Sequence, residues 1–129
     1  MSFHTLFCIF QTTYCIMRKD RKWGRQMRIL ICDDDPLIVE QIQKYVRSYF
    51  EKHHVKCPEL VCFFDGVSLL SDKGDKDILF LDIEMPGMNG IYVGNQLKKE
   101  NENIIIFIVT SYSEYLDEAM RFHVFRYLS

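Results

Sequence analysis

From Met27 onward the chain alternates between short apolar runs and longer segments whose apolar residues recur at helical spacing. The runs are Met27 to Cys32 (MRILIC), Glu59 to Phe64 (ELVCFF), Asp77 to Leu81 (DILFL), Ile104 to Val109 (IIIFIV) and Val124 to Ser129 (VFRYLS). Their length and near-continuous hydrophobicity suit strands covered on both faces, as in a parallel sheet. Between the first two runs, Ile38, Ile42, Tyr45, Val46 and Tyr49 form one stripe of an amphipathic helix. Asp35 and Pro36 open that helix as N-cap and first-turn proline. Gly66 to Ser71 predicts a short second helix and Ile91 to Glu100 a third. Ser113 to Phe122 predicts a fourth, with Leu116, Ala119 and Met120 on one face. The stretch Pro86-Gly87-Met88-Asn89-Gly90 marks the turn after the third strand. Strands alternating with helices predict an α/β fold with a parallel sheet and right-handed crossovers.

Composition narrows the function without choosing it. At 129 residues the chain holds one domain at most. A net charge of -2 gives no basic footprint for nucleic acid, so direct DNA binding by this chain is not expected. No apolar run reaches the length of a membrane span, and the apolar first residues lack the basic n-region and cleavage site of a secretory signal. Five cysteines (Cys8, Cys15, Cys32, Cys57, Cys62) contain no CxxC pair and no zinc spacing, which suits reduced thiols in a cytoplasmic protein. Charge is concentrated at Arg18 to Arg28, just ahead of the first strand.

The carboxylates carry the chemistry. Asp33, Asp34 and Asp35 follow the first strand and Asp82 follows the third. An open doubly wound sheet binds ligands beyond the carboxyl ends of its strands, at the point where strand order reverses. In the flavodoxin-like order 2-1-3-4-5 that point lies between strands one and three, so Asp33, Asp34 and Asp82 are expected to converge there. Like charges about 4 Å apart repel by roughly 4 kcal/mol at an intermediate dielectric. Either some of these acids are protonated or a cation sits among them, and hard oxygen donors favour Mg²⁺. Asp35, beside Pro36, is assigned first to capping. Thr110 ends the fourth strand at the same edge, where its hydroxyl can bond a phosphoryl oxygen.

Over Met27 to Ser129 these residues resemble the receiver domains of bacterial two-component response regulators. ILICDDDP is similar to the family's acidic-pair motif and places Asp33 and Asp34 at the Mg²⁺ site. LFLDIEMPGMNG is similar to its phosphorylation motif, with Asp82 as acceptor and a metal ligand, and Glu84 supplying a backbone carbonyl to the metal. IVTS places Thr110 where the family has the hydroxyl that contacts the phosphoryl group, and FRYLS places Tyr127 at the switch aromatic. SYSEY and FRYL look like the regulators whose output is a LytTR-type DNA-binding domain.

The resemblance implies a signalling domain whose chemistry is limited to its own phosphorylation by a partner histidine kinase and slow autodephosphorylation. It also implies an output, transcription, carried elsewhere, and a homodimer face on the fourth helix and fifth strand. The family's lysine and fifth helix would fall beyond Ser129, so the chain reads as a receiver over 27–129 truncated before its last helix. Residues 1–26 read as an extension outside the family, disordered or weakly helical. Phe3, Leu6, Phe7 and Phe10 share one helical face there and could cover an apolar strip on the sheet. Two alternatives stand beside this reading. One is a degenerate receiver that acts only as an interaction module. The other is a haloacid-dehalogenase-like phosphatase, which would need Asp and then Thr or Val where Glu84 and Pro86 stand.

Overall fold

In the computed structural model, which describes residues 26–109 and the backbone of 126–128, strands and helices alternate along the chain. They are β1 (Arg28–Cys32), α1 (Pro36–Lys52), β2 (Glu59–Phe63), α2 (Gly66–Ser71), β3 (Ile78–Leu81), α3 (Gly90–Glu100), β4 (Ile105–Val109) and β5 (Arg126–Leu128). The five strands form one parallel sheet in the order β2-β1-β3-β4-β5, the flavodoxin-like order expected from the sequence. The expected fourth helix, Ser113 to Phe122, lies outside the described residues, as do residues 1–25 and the roles assigned to them. No helix among the described residues is long and apolar enough to cross a membrane.

The continuous apolar runs are explained by the two faces of the sheet. Ile29, Ile31, Ile78, Phe80, Phe107 and Val109 point to the side covered by α1. Leu30, Cys32, Leu79, Leu81, Ile106 and Ile108 point to the side covered by Leu69 of α2 and by Val93 and Leu97 of α3. Because side chains alternate along a strand, only a sheet covered twice needs every position apolar.

Helix α1 is rotated slightly from the expected stripe. Val39, Ile42, Val46, Tyr49 and Phe50 are buried, whereas Tyr45 is 37% exposed and Ile38 only half-buried. Leu37, Ile38 and Val39 are consecutive apolar residues, so periodicity alone leaves the centre of the face open by one position. Likewise β2 ends at Phe63. Phe64 is about half exposed, because Asp65 behind it turns the chain and caps α2 through the Ser68 N–H.

Candidate functional site

The sheet's hydrogen bonding runs one residue past its strands where β1, β2 and β3 end. The Asp33 N–H donates to the Phe63 carbonyl at 3.1 Å, and the Asp82 N–H donates to the Cys32 carbonyl at 3.0 Å. Both acids are therefore held in register at the switch point between β1 and β3. One carboxylate oxygen from each of Asp33, Asp34 and Asp82 lies within 4.8 Å of the others. Asp33 is buried, Asp82 half-buried and Asp34 exposed, so the cluster is open to solvent on one side.

Among the described residues, backbone amides bond two of these acids. Asp33 Oδ1 accepts from the Asp35 N–H at 2.9 Å, and Asp82 Oδ1 accepts from the Glu84 N–H at 3.3 Å. Among the described residues no lysine or arginine forms an ion pair with any of the three. Burial, followed by the neighbouring Asp33 charge, pushes the Asp82 carboxyl up to about 7. Burial likewise pushes Asp33 up to about 6, with the charge of Asp34 adding to it against the Asp35 amide. The cluster thus holds fewer protons than it would need for neutrality near pH 7, and a cation would relieve it. Three carboxylate oxygens with solvent on one side are a donor set that fits Mg²⁺, which keeps several waters and uses few protein ligands.

The other sequence-derived residues fall differently. Asp35 is the N-cap of α1, its Oδ1 accepting from the Leu37 N–H, and stands outside the cluster of three carboxylates. Glu84 is exposed, and the contact that ties it to the cluster runs through its N–H. Thr110, next after Val109 of β4, lies outside the described residues. Tyr127 sits in β5 with its backbone opposite Ile108 of β4; its side chain is outside the described residues. Cys32 precedes Asp33 in the chain, and burial, followed by the charge of Asp65 and then those of Asp33, Asp82 and Asp34, pushes its thiol up to about 12.

Gly90, which the sequence offers only as the last residue of a turn, fixes the loop that carries Asp82. Its N–H donates to the Ile83 carbonyl at 2.7 Å. A Cβ at this position would stand 2.3 Å from the Asp82 carbonyl oxygen and 2.6 Å from Ile83 Cα, so the first turn of α3 presses on the backbone of the acid itself. The usable signal was glycine at the first helical position, directly after the N-cap Asn89, where a better helix former would ordinarily stand. Gly87, at φ +82, supplies the left-handed turn in the same loop.

Known proteins resemble this chain in sequence and fold. A family model described as the response regulator receiver domain matches residues 29–129. The transcriptional regulatory protein BtsR of Escherichia coli K12 is 32% identical over 103 residues, 79% of this chain and 41% of BtsR. The sensory transduction protein LytT of Oceanobacillus iheyensis is 31% identical over 107 residues, 80% of this chain and 42% of LytT. The chain thus spans about two fifths of the length of the curated relatives it matches. The crystal structure of the response regulator TrrA of Thermotoga maritima, in complex with Mg²⁺-BeF, superposes with a TM-score of 0.64 at 28% identity. That match covers 79% of this chain and 84% of TrrA.

Proposed function

The chain belongs to the response regulator receiver family of two-component signalling, and on that basis we propose that Asp82 accepts a phosphoryl group from a partner histidine kinase. Three carboxylates meeting within 4.8 Å at the carboxyl ends of β1 and β3 carry this proposal. Residues 27–129 form the receiver, and residues 1–26 an extension ahead of it. Asp33, Asp34, Asp82 and the Glu84 backbone carbonyl would hold Mg²⁺. When bound, the ion would neutralise charge on the transferring phosphoryl oxygens.

An Asp82 carboxylate oxygen attacks phosphorus. The O–P bond forms as the P–N bond to the kinase imidazole breaks, and the electron pair of that bond stays on nitrogen. The Glu84 N–H on Oδ1 helps orient the carboxylate. The backbone bonds at Asp33 and Asp82 keep the three acids in place before the donor arrives, so positioning is achieved in advance. Thr110 would donate its hydroxyl to a phosphoryl oxygen. Together with Tyr127 it would then shift and remodel the face made by residues 113–122 and β5, which is also the proposed homodimer face. Transcription is the output we assign, in line with the name of the relative BtsR, carried by segments other than the receiver.

Acetyl phosphate with Mg²⁺ tests the assignment. The unsubstituted chain should be labelled and Asp82→Asn should not; equal labelling of that variant refutes Asp82 as the acceptor. Asp34→Asn should retain the acceptor but weaken Mg²⁺ binding, read by titration with beryllofluoride present.

A further inference from the structure

A cavity of about 590 Å³ opens at the amino ends of the strands, the opposite edge of the sheet from Asp82. Leu70, Leu97 and Ile104 give it an apolar base, and Asp72, Asp75, Asp77 and Glu100 set four carboxylates around it against the ammonium groups of Lys73 and Lys76. Lys76 is already engaged, donating to the carbonyls of Asp72 and Gly74 and pairing with the Asp72 carboxylate. Helix α3 also ends here, at Asn101, so the carbonyl end of its dipole adds to the negative potential.

Strand β1 begins at the same edge. Arg28 Nη1 donates to Asp72 Oδ2 at 2.9 Å and to the Asp75 carbonyl at 2.8 Å, and both residues line the cavity. Immediately upstream lies the chain's densest run of positive charge: Arg18, Lys19, Arg21, Lys22 and Arg25 against Asp20 alone, with Trp23 among them. Trp23 is five residues from Arg28, and five extended residues reach roughly 17 Å, enough to enter the cavity.

We propose that this basic segment, residues 18–25, docks in the acidic cavity of its own chain, with Trp23 on the apolar base and its flanking cations facing Glu100 and Asp75. The indole suits the site because it offers a large apolar surface with one N–H, and the last carbonyls of α3 can accept it. Covalent attachment holds the segment at an effective concentration on the order of millimolar, so individually weak rim contacts suffice. The segment precedes the region matched by the family, which begins at residue 29, so its docking is a property of this chain and not of the receiver fold.

Trp23 is the single tryptophan, so fluorescence of the full chain reads this segment alone. At low salt, docking gives blue-shifted emission and several-fold weaker acrylamide quenching than in the urea-unfolded protein, unchanged on dilution. Combining Glu100→Lys with Asp75→Lys should return quenching toward the unfolded value, and adding Arg21→Glu with Lys22→Glu should restore protection. For the unsubstituted chain, salt near 1 M shortens the Debye length to about 3 Å and should raise quenching, which keeps the test valid should the charge-reversed variants not fold. The proposal is overturned if Trp23 of the unsubstituted chain is quenched as freely as in urea. Protection that survives both charge reversal and salt overturns it as well, and protection lost on dilution assigns the cavity to a second copy instead.

Discussion

The two ends of the sheet treat the same residue type in opposite ways. At the amino ends, Asp72 receives the Arg28 guanidinium and the Lys76 ammonium, Glu59 receives Arg28 Nε, and buried Asp77 accepts the Arg28 N–H at 2.8 Å. At the carboxyl ends, among the described residues, Asp33 and Asp82 accept from backbone amides and face each other and Asp34. The Arg28 hydrogen bond holds the Asp72 carboxyl below its ordinary range and outweighs its desolvation. At Asp82 desolvation is the largest influence, and the carboxyl rises to about 7. Burial therefore fixes the sign of a shift only where no cation offsets it. Glu59, Asp72 and Asp77 at the amino ends are engaged in holding loops to the sheet, whereas the acids at the carboxyl ends face one another.

Gly90→Ala should break the carboxyl end most severely without touching a carboxylate. The new Cβ meets backbone, which cannot rotate aside, at the Asp82 carbonyl oxygen and Ile83 Cα. Overpacking of this kind costs about 2–3 kcal/mol, partly offset by the better helix propensity of alanine. Urea denaturation should register that loss, and labelling by acetyl phosphate should fall in the fraction that remains folded. Stability and labelling equal to the unsubstituted chain would mean that the loop yields freely and does not position Asp82.

Arg28→Ala tests the amino end. It removes the bonds to Asp72, Glu59 and the Asp75 carbonyl, at a cost of about 2 kcal/mol for a partly exposed network in which Lys76 still reaches Asp72. Beryllofluoride affinity, read at the carboxyl end, should be unchanged. A parallel loss of affinity would show that the two ends are coupled through β1 and not independent.

Much of this was legible in the sequence, for identifiable reasons. Strands buried on both faces leave uninterrupted apolar runs, and the residue after each run marks the carboxyl end of a strand. Asp33 and Asp82 could therefore be placed together across 49 positions before any coordinates. The amino-end network was not legible, because Arg28, Asp72 and Lys76 sit in charged, loop-like sequence where any pairing is as plausible as another. The sequence shows Gly90 as a turn residue but not its close approach to Asp82, because an absent Cβ acts only against a neighbour that tertiary structure supplies. The side of α1 that faces the sheet was ambiguous at Leu37, Ile38 and Val39 until packing chose Val39.

The smallest effect distinguishes the ends most directly, since without metal they give opposite pH slopes. Asp82 and Asp33 have folded values of about 7 and about 6 against an ordinary 3.8, so the folded chain holds protons that the unfolded chain has released. Their contribution to stability is fully present below 3.8 and is lost as pH rises through those folded values. Asp72, lowered by Arg28, contributes in the other direction: its share is present above 3.8 and is lost as pH falls through its depressed value. In chelator the Tm should therefore pass through a maximum near pH 4 and decline until about pH 7, where both folded carboxyls have ionised. Asp33 and Asp82 interact, so the decline is one broad step and not two separate titrations. Asp82→Asn should flatten it and raise stability at neutral pH by about 1 kcal/mol, a figure reduced for the half-exposed position of the group. Mg²⁺ should abolish the decline in the unsubstituted chain by favouring the ionised carboxylates. A Tm in chelator that climbs steadily from mildly acidic to mildly alkaline pH would mean that the carboxyl-end acids are satisfied within the protein, as Asp72 is.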